Sequence, residues 1–453
     1  MTQPHEAEGG ATRDRDAVVR VGVLGCGNVG AALVELLRDH ADVIRARSGL
    51  DLSVARIAVR NLSKDRGLEL GKDVLTNDAE ALVNDPSIDV IVEVIGGIEP
   101  ARSLILDALK LGKPVVTANK ELLANVGKEL LEAAETSGVD LLFEASVAGG
   151  IPLMRPLRES LAGERITRVM GIVNGTTNFI LTQMSEQGSG FAEALADAQN
   201  LGYAERDPTA DVEGFDAAAK AAIIASIAFG AKVVAGDVYR EGIADITQAD
   251  ISAAADLGYV LKLLAVAEEL DGALAVRVHP AMVPATHPLA SVRGSFNAVF
   301  IEGEAVGDVM LYGRGAGGRP TAVSVLGDLI DASKNLRSGA RGATIGSLSR
   351  KPILPIDEVR SQYYLTLDVA DRPGVLASIA GVFGQHGVSI RSMQQKGGGA
   401  SAGERGERGE HALLIFVTHL AREADMRATI HDVRELDAVH TVGSLLRVIG
   451  EEG

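Results

Sequence analysis

The chain has 453 residues, of which 46% are hydrophobic and 23% are charged. This length excludes a small binding module, and these fractions of hydrophobic and charged residues exclude a disordered chain. At about 150 residues per domain, the length indicates about three folding units. The net charge of -17 argues against nucleic acid or an anionic membrane as a partner attracted by bulk charge.

The N-terminal residues 1–17 are polar and lack the apolar core of a signal peptide, so we predict a disordered tail. The single cysteine, Cys26, excludes an intramolecular disulfide and a zinc site built on several thiolates, which favours the cytoplasm. The most apolar stretch, residues 217–236, contains Lys220 and Lys232. We therefore predict a buried helix there and no membrane span.

Between residues 18 and 150, short apolar runs alternate with amphipathic stretches. This alternation is the βαβ pattern of a parallel sheet that is covered by helices on both faces. We predict a Rossmann-type α/β domain over this range. Its strand candidates are VVRVGVLG, LSVARIAV, DVIVEVIG, PVVTA and VDLLFEA.

The first of these strands leads into Gly25-Cys26-Gly27-Asn28-Val29-Gly30, a G-x-G-x-x-G sequence that precedes a helical pattern. Glycines let the turn tighten and the backbone approach a pyrophosphate, while the helix N-terminus supplies N–H donors and partial positive charge. In this context the motif predicts dinucleotide binding, although a plain strand-to-helix turn gives the same letters. Cys26 is interpreted as a small filler within the turn.

Two basic residues follow strands of the same domain. Arg60 comes after the second strand, where an NAD-binding domain usually carries an acidic residue for the ribose 2′-hydroxyl. Because arginine can pair with a 2′-phosphate, we favour NADP over NAD, the alternative being a solvated arginine. Lys120, in TANK, follows the fourth strand at the sheet edge that faces a ligand crevice. This position by itself is equally compatible with a functional role and with an ordinary surface lysine.

After residue 150 the pattern changes to helices, with strand candidates at residues 166–173 and between residues 276 and 310. We predict a second, α+β domain over residues 151–312. The Gly-rich turn GRGAGGRP precedes an apolar helix, and we expect residues 313–340 to return to the first domain. Residues 341–361 are predicted to be a linker.

The densest polar cluster, residues 202–216, leads directly into the apolar helix that carries Lys220. Asp216 and Lys220 share one helix face, as an ordinary surface pair at i,i+4 also would. Apolar residues flank Lys220, however, and a buried lysine needs a partner. Burial lowers the pKa of a lysine toward neutrality, which suits proton transfer, while Asp216 opposes that shift and orients the ammonium.

Hydride transfer between an alcohol and a carbonyl needs a nicotinamide and a group that moves the proton of the oxygen. A lysine meets the second requirement without zinc. The nine histidines show no metal-ligand spacing, which is consistent with chemistry of this kind.

Residues 362–453 have the order βαββαβ, which predicts a ferredoxin-like domain. Between its second and third strands lies a segment rich in Gly, Glu and Arg, residues 397–410. Such a composition cannot bury apolar surface, so we predict a mobile loop there.

The sequences GCGNVG, TANK, FEASVAGGIP, GIVNGTTNFI, LGYAERDPTADVEGFDAAAK and GRGAGGRPTA resemble homoserine dehydrogenase, in this order, over residues 18–340. The segment DRPGVLASIAGVFGQHGVSI resembles an ACT regulatory domain, as in the long bacterial form of that enzyme. The resemblance implies NAD(P)-dependent interconversion of L-aspartate 4-semialdehyde and L-homoserine, on the route to threonine, methionine and isoleucine. It also implies that residues 151–312 bind substrate and form the interface of a homodimer or homotetramer.

The resemblance further implies roles for single residues in catalysis and substrate binding. Lys220 would be the proton donor, and Lys120 would contact cofactor and substrate and share in proton handling. Glu205, Asp216 and Asp211 would form the polar wall that binds homoserine, whose ammonium suits carboxylates.

Other positions are implied to hold the cofactor and a cation. The residues that would contact NADP are Gly25, Asn28, Val29, Arg60, Lys120, Gly202, Gly315 and Gly317, and the G-x-G-x-x-G motif adds Gly27 and Gly30. A sodium ion would be held by Glu144 and by the carbonyls of Val147, Gly149 and Ile151, since oxygen ligands suit a hard cation.

Three functions remain open from the sequence. The first is a homoserine dehydrogenase that L-threonine regulates through the ACT domain, which requires different effector affinities for two states of the protein. The second is a related amino-acid dehydrogenase that acts on a different aldehyde. The third is a catalytically silent NADP-binding regulator with the ACT domain as its sensor.

Overall fold

The structure is a computed structural model that describes residues 18–71, 73–343, 348–397 and 411–450. The predicted N-terminal tail lies outside these residues, as does the predicted mobile loop after its first residue. The chain divides into two compact units, one formed by Met1–Ala162 with Ala316–Leu348 and the other by Gly163–Gly315 with Ser349–Gly453. Among the described residues, no helix combines the length and the apolar character that crossing a membrane requires.

The helices and strands follow the order of the chain. The strands are β1 (Val19–Leu24), β2 (Leu52–Ala58), β3 (Leu75–Thr76), β4 (Val90–Glu93), β5 (Val115–Thr117), β6 (Leu141–Leu142), β7 (Ile166–Ile172), β8 (Tyr239–Arg240), β9 (Tyr259–Leu270), β10 (Ala273–Pro284), β11 (Phe296–Gly303), β12 (Gly307–Arg314), β13 (Arg360–Ala370), β14 (Ile390–Gly397), β15 (His411–Thr418), β16 (Ala421–Arg422) and β17 (Val439–Val448). The α-helices are α1 (Asn28–Asp39), α2 (Ala41–Ser48), α3 (Ala79–Asn84), α4 (Ala101–Lys110), α5 (Lys120–Ser137), α6 (Gly175–Gln187), α7 (Phe191–Asn200), α8 (Thr209–Val212), α9 (Phe215–Ala228), α10 (Gln248–Asp256), α11 (Gly318–Ser338), α12 (Val375–Gln385) and α13 (Glu423–Arg434).

The first unit contains a parallel sheet in the order β3-β2-β1-β4-β5-β6. Strands β2 and β3 lie on one side of β1, and β4, β5 and β6 lie on the other, so the strand order reverses between β1 and β4. A doubly wound sheet has its ligand crevice at such a point. Apolar side chains of β1 and β4 pack with α1 and α11 in one core cluster that includes Val21, Leu33, Val92 and Leu329. Each of these buried side chains stabilises the fold by about 1.5–3 kcal/mol. The predicted Rossmann-type fold is confirmed.

The second unit contains a mixed sheet in the order β12-β11-β7-β9-β10-β17-β13-β15-β14. Its last four strands pair antiparallel, and α12 and α13 pack on them around Tyr363, Phe383 and Phe416. This confirms the βαββαβ prediction for the C-terminal domain. β17 also pairs with β10 in parallel, at Ala281 with Arg447 and at Met282 with Val448, which joins the C-terminal strands to the preceding sheet.

Two predictions within this unit need correction. The helix predicted for residues 217–236 ends at Ala228, because Gly230 adopts φ +58° and Ala231 forms a β-bridge with Ser349. The twelve-residue strand β9 was not among the predicted strands, since it is rich in good helix formers. It pairs along its whole length with β10, through a tight turn in which Asp271 and Gly272 both have positive φ.

Candidate active site

The second unit brings three of the predicted residues together around Asn174. Asn174 precedes α6 and caps it, because its Oδ1 accepts the N–H of Thr177 at 2.9 Å. Its Nδ2 donates to Asp211 Oδ1 at 2.7 Å and to Asp216 Oδ2 at 2.9 Å. One amide therefore holds two carboxylates side by side. Sequence reasoning missed this residue, although GIVNGTTNFI contains it.

Lys220 completes the same arrangement from α9. Its Nζ donates to Asp216 Oδ2 at 2.7 Å and to the carbonyl of Val173 at 2.6 Å. Both Asp216 and Lys220 are buried, so the ammonium has the paired and hydrogen-bonded surroundings that a buried charge requires. We call Asn174, Asp211, Asp216 and Lys220 the substrate cluster.

The local sequence explains why these groups share one face. Gly214 immediately precedes α9 in the left-handed conformation, with φ +79°, and so allows the sharp turn from α8, which carries Asp211. Asp216 lies in the first turn of α9, where the helix dipole favours a negative charge. Lys220 follows one turn later on the same face.

Glu205 and Gly202 lie in the loop between α7 and α8. The Glu205 side chain is exposed, and its backbone carbonyl accepts Gln199 Nε2 at 3.0 Å. Gly202 adopts φ +76° where α7 ends. The loop is attached to the start of α6, because the Thr176 hydroxyl donates to the carbonyl of Tyr203 at 2.8 Å. The structure thus places Glu205 on a solvent-facing loop, outside the hydrogen bonds of the substrate cluster.

In the first unit, the three motif glycines differ in what surrounds them. Gly25 has φ +102°, and a Cβ there would lie 2.8 Å from the carbonyl oxygen of Val94. A Cβ on Gly30 would lie 2.4 Å from the carbonyl oxygen of Gly25, so this glycine allows α1 to pack on the turn. A Cβ on Gly27 would meet nothing within 4 Å. Close backbone packing requires glycine at positions 25 and 30. Gly27, in contrast, leaves open space at the start of α1, as the approach of a ligand requires.

Two helix N-termini meet at this turn. Gly27 precedes α1 and Gly317 precedes α11, and neither terminus has a side-chain capping hydrogen bond. A Cβ on Gly318 would lie 2.8 Å from the carbonyl oxygen of Asn28, so the two termini are in direct contact. Uncapped N–H groups and two helix dipoles suit an anion such as a pyrophosphate. We call this turn, with the start of α11, the cofactor edge.

The other predicted cofactor residues lie at several positions. Val29 is half-buried in the first turn of α1, and Arg60 is exposed after β2. Lys120 is half-buried as the first residue of α5. Gly315 belongs to the second unit, where a Cβ would lie 2.0 Å from Cγ of Asn297. Packing against Asn297 therefore requires a glycine at that position.

Two residues not predicted from the sequence fix the strand ends beside Lys120. Glu93 is fully buried at the end of β4 and accepts the Thr117 hydroxyl at 2.6 Å and the N–H of Ile95 at 2.7 Å. Asn119 caps α5 by accepting the N–H of Leu122 at 3.0 Å. A buried acid after an apolar strand was the signal available for Glu93.

The predicted cation loop is held by a buried carboxylate. Glu144 accepts the backbone N–H groups of Leu153, Met154 and Arg155, so both of its oxygens are engaged. The carbonyl of Gly149 accepts the Ser324 hydroxyl at 2.7 Å. Val147 and Ile151 are buried in the same loop.

Asp328 underlies this loop, where its Oδ2 accepts the N–H of Glu144 at 2.7 Å. Burial raises the pKa of Asp328 to about 7, although that hydrogen bond opposes the shift. In the described part of the chain, no three His, Cys, Asp or Glu side chains are grouped as metal ligands. The cation site at Glu144 and the carbonyls of Val147, Gly149 and Ile151 stays a prediction.

Comparisons with known proteins agree over all three parts of the chain. The homoserine dehydrogenase NAD-binding domain model matches residues 25–144, the homoserine dehydrogenase model matches residues 152–330, and the ACT domain model matches residues 363–436. Homoserine dehydrogenase of Mycobacterium tuberculosis is 49% identical, over 95% of this chain and 98% of its own length.

Solved structures give the same result. A homoserine dehydrogenase from Thiobacillus denitrificans superposes with a TM-score of 0.89 at 41% identity, covering 96% of this chain and 98% of that one. A hyperthermophilic archaeal homoserine dehydrogenase in complex with NADPH superposes with a TM-score of 0.61 at 31% identity, covering 70% of this chain and 98% of its own.

Proposed function

The chain belongs to the homoserine dehydrogenase family, and from this premise we propose that it interconverts L-aspartate 4-semialdehyde and L-homoserine with NADP(H) as its preferred cofactor. It is an oxidoreductase with an NAD-binding domain and a C-terminal ACT domain. The observation that carries the proposal is the buried Lys220–Asp216 pair, with Nζ to Oδ2 at 2.7 Å, which Asn174 joins to Asp211.

The residues of the substrate cluster account for the proton chemistry. NADPH, when bound, supplies the hydride that forms the new C–H bond at the aldehyde carbon. Lys220 Nζ donates a proton to the carbonyl oxygen, which becomes the hydroxyl of homoserine, and in the reverse direction the neutral amine accepts that proton. Asp216 and the carbonyl of Val173 hold Nζ in place. Lys120, at the start of α5, shares in proton handling and contacts cofactor and substrate.

The carboxylates have a second role toward the amino acid. The substrate carries an ammonium group, and charge-assisted hydrogen bonds from an ammonium to carboxylates are among the stronger ones in proteins. Asp211 and Asp216 are already aligned by Asn174. Glu205, on its exposed loop, can reach the same ammonium if that loop folds over a bound substrate.

The cofactor edge fits a dinucleotide, and Arg60, after β2, supports NADP. The open space at Gly27 and the uncapped N-termini of α1 and α11 suit the pyrophosphate. Contacts are proposed from Gly25, Asn28, Val29 and Gly30 of the turn, with further contacts from Gly202, Gly315 and Gly317. Arg60 is exposed and available for the 2′-phosphate, and NAD remains the alternative cofactor.

A sodium ion at residues 144–151 is part of the proposal in a restricted form. The carbonyl oxygens of Val147, Gly149 and Ile151 suit a hard cation. The carboxylate of Glu144 is engaged by three backbone N–H groups, so it supports the loop that would hold the ion. The proposed mechanism uses no zinc, because Lys220 meets the requirement for a group that moves the proton.

Regulation and assembly follow from the family and are proposed with it. We propose L-threonine as the effector of the ACT domain, a homodimer or homotetramer as the assembly, and the cytoplasm as the location. The ACT domain match and its complete βαββαβ order support effector binding.

An initial-rate assay tests substrate, cofactor and regulation together. Homoserine is oxidised with NADP and, separately, with NAD, each with and without L-threonine. We expect faster turnover with NADP and a change in rate or affinity on adding threonine. A faster rate with another amino alcohol would favour a related dehydrogenase, and no NADP reduction by folded protein at alkaline pH would favour the silent regulator. No response to threonine would remove the regulatory part.

A further inference from the structure

A buried ion network joins the ACT strand β17 to the segment that follows β8. Arg447, only 3% exposed, donates from Nη1 and Nη2 to the two carboxylate oxygens of Glu241, each at 2.9 Å. The same guanidinium donates from Nε and Nη2 to Glu423, at 3.0 and 2.7 Å. The Tyr239 hydroxyl donates a hydrogen bond to Oε1 of Glu241. The network therefore links the ACT domain to the substrate-binding domain through Glu241.

Both members of the central pair keep their charge. Burial raises the pKa of Glu241, but the hydrogen bonds and charge of Arg447 outweigh burial and leave that pKa below its ordinary value. Burial lowers the pKa of Arg447, and the carboxylates of Glu241 and Glu423 more than reverse this. Removing one charge of such a pair leaves the other buried and less well paired.

The backbone next to Glu241 packs directly on the turn between α8 and α9. Ile243 donates its N–H to the carbonyl of Val212 at 2.8 Å. A Cβ on Gly242 would lie 2.4 Å from that same carbonyl oxygen, so no side chain separates the two segments. The guanidinium of Arg240 stacks on the Phe215 ring at 3.7 Å from its centroid. Residues 240–243 thus hold residues 212–215 from one side.

That turn carries the substrate cluster. Asp211 immediately precedes Val212, and Asp216 immediately follows Phe215. A shift of the turn would move both carboxylates relative to Asn174, on which they depend for alignment. Misplacement of a binding group by about 1 Å can lower catalytic efficiency about 100-fold.

We propose that Glu241 is a positioning residue, through which Arg447 of the ACT domain holds the α8–α9 turn in the geometry that binds homoserine. The kinetic consequence rests on the proposed function, whereas the structural consequence does not. Glu241 acts on substrate binding, because its contacts lead to Asp211 and Asp216. The same path gives any rearrangement of the ACT domain a route to substrate affinity.

The test compares Glu241→Gln with Glu302→Gln in the full-length protein. Glu302 forms a bidentate pair with Arg168 across β7 and β11, at 2.7 and 2.8 Å, and so controls for loss of an Arg–Glu pair in the same sheet. For Glu241→Gln we expect the KM for homoserine to rise about tenfold, with kcat changed less than about threefold and the KM for NADP unchanged. Glu302→Gln should leave all three unchanged.

Amide hydrogen exchange supplies a measurement that needs no activity. Peptides covering residues 209–216 should exchange faster in Glu241→Gln than in the unmodified chain, and not in Glu302→Gln. Unchanged exchange and an unchanged KM in folded Glu241→Gln would overturn the proposal. If the unmodified chain fails to oxidise homoserine, the proposed function fails, while the exchange result still decides the role of Glu241.

Arg447→Lys tests the same pair from the other side, since lysine keeps the charge but loses the bidentate geometry. We expect it to reproduce the Glu241→Gln effects, and the double variant to be no worse than the more severe single one. If the fold changes of the two single variants multiply in the double variant, the two residues act independently, which would contradict the proposal. Should Glu241→Gln fail to fold, the Arg447→Lys exchange result decides in its place.

Discussion

The substrate cluster and the cofactor edge are both proposed to hold a charged ligand, but they are built from different groups. The substrate cluster consists of ionised side chains that are buried and bonded to one another, with Lys220 and Asp216 each less than a tenth exposed. The cofactor edge consists mainly of backbone, because its donors are the uncapped N-termini of α1 and α11 and its key residues are glycines.

This difference determines how each region tolerates change. A buried charge that loses its partner costs several kcal/mol, so single substitutions in the substrate cluster should be severe. Backbone donors persist through most substitutions, so the cofactor edge should respond mainly where a new side chain enters the ligand space. Variants of the two regions should therefore differ both in size of effect and in the kinetic constant that changes.

Lys220→Ala should have the largest effect, because it removes the proposed proton donor. General acid–base groups contribute about 10²–10⁴-fold, so we expect kcat to fall by that factor while NADP affinity stays the same. The control is Lys232→Ala, which removes an exposed lysine from the same part of the second unit. Turnover of Lys220→Ala at the rate of the control would refute the assignment.

Asn174→Ala should come next, since it leaves Asp211 and Asp216 without their shared donor. Hydrogen bonds to charged groups contribute about 1.5–3 kcal/mol, so kcat/KM for homoserine should fall about 10–100-fold. Thr247→Ala controls for loss of a helix cap, because Thr247 caps α10 in the same unit. An equal loss of activity in both variants would show that only helix stability matters.

Arg60→Ala tests the exposed side chain that is proposed to contact the 2′-phosphate of NADP. Losing a solvent-exposed contact to the 2′-phosphate should raise the KM for NADP about tenfold and leave the KM for NAD unchanged. The measurement is a pair of cofactor titrations at saturating homoserine. Equal changes for both cofactors would remove the basis for NADP preference.

Gly27→Ala and Gly30→Ala separate ligand space from fold space within one motif. The alanine at position 27 meets no protein atom within 4 Å, so the melting temperature should hold while the KM for NADP rises severalfold. The alanine at position 30 would lie 2.4 Å from a backbone oxygen and should lower the melting temperature. The opposite pattern would mean that the turn binds no dinucleotide.

Asp328→Asn should have the smallest effect on activity and a defined effect on stability. The folded pKa of Asp328 is raised to about 7, above the value of an unfolded aspartate, so the fold binds a proton that the unfolded chain releases. Stability therefore falls as pH rises between about 4 and 7. The variant should flatten this dependence by about 1–3 kcal/mol in denaturation between pH 5 and 8. Parallel profiles would contradict the raised pKa.

The sequence predicted the elements whose local pattern agrees with the fold. Five strands of the first sheet and the βαββαβ order carry strong periodic signals, and the motif glycines follow directly from backbone geometry. The strand β9 could not be predicted locally, because its Leu, Ala, Lys and Glu residues favour helix and only pairing with β10 overrides them.

The substrate cluster shows the same limit. The spacing of Asp216 and Lys220 predicted their contact, since helical geometry alone sets it. Asn174 lies 42 residues from Asp216 in sequence, and no local pattern marks it as the donor to both carboxylates. Glu205 belongs to the same acidic segment of the sequence as Asp211 and Asp216, yet in the fold its side chain is exposed.

The most direct test of the division between the two regions is kcat/KM for NADP of the double variant Lys220→Ala with Gly27→Ala. If side-chain proton transfer and backbone cofactor binding are independent, the fold losses of the single variants should multiply to within about twofold. A double variant no worse than Lys220→Ala by itself would contradict that division, and would place both residues in one interacting site.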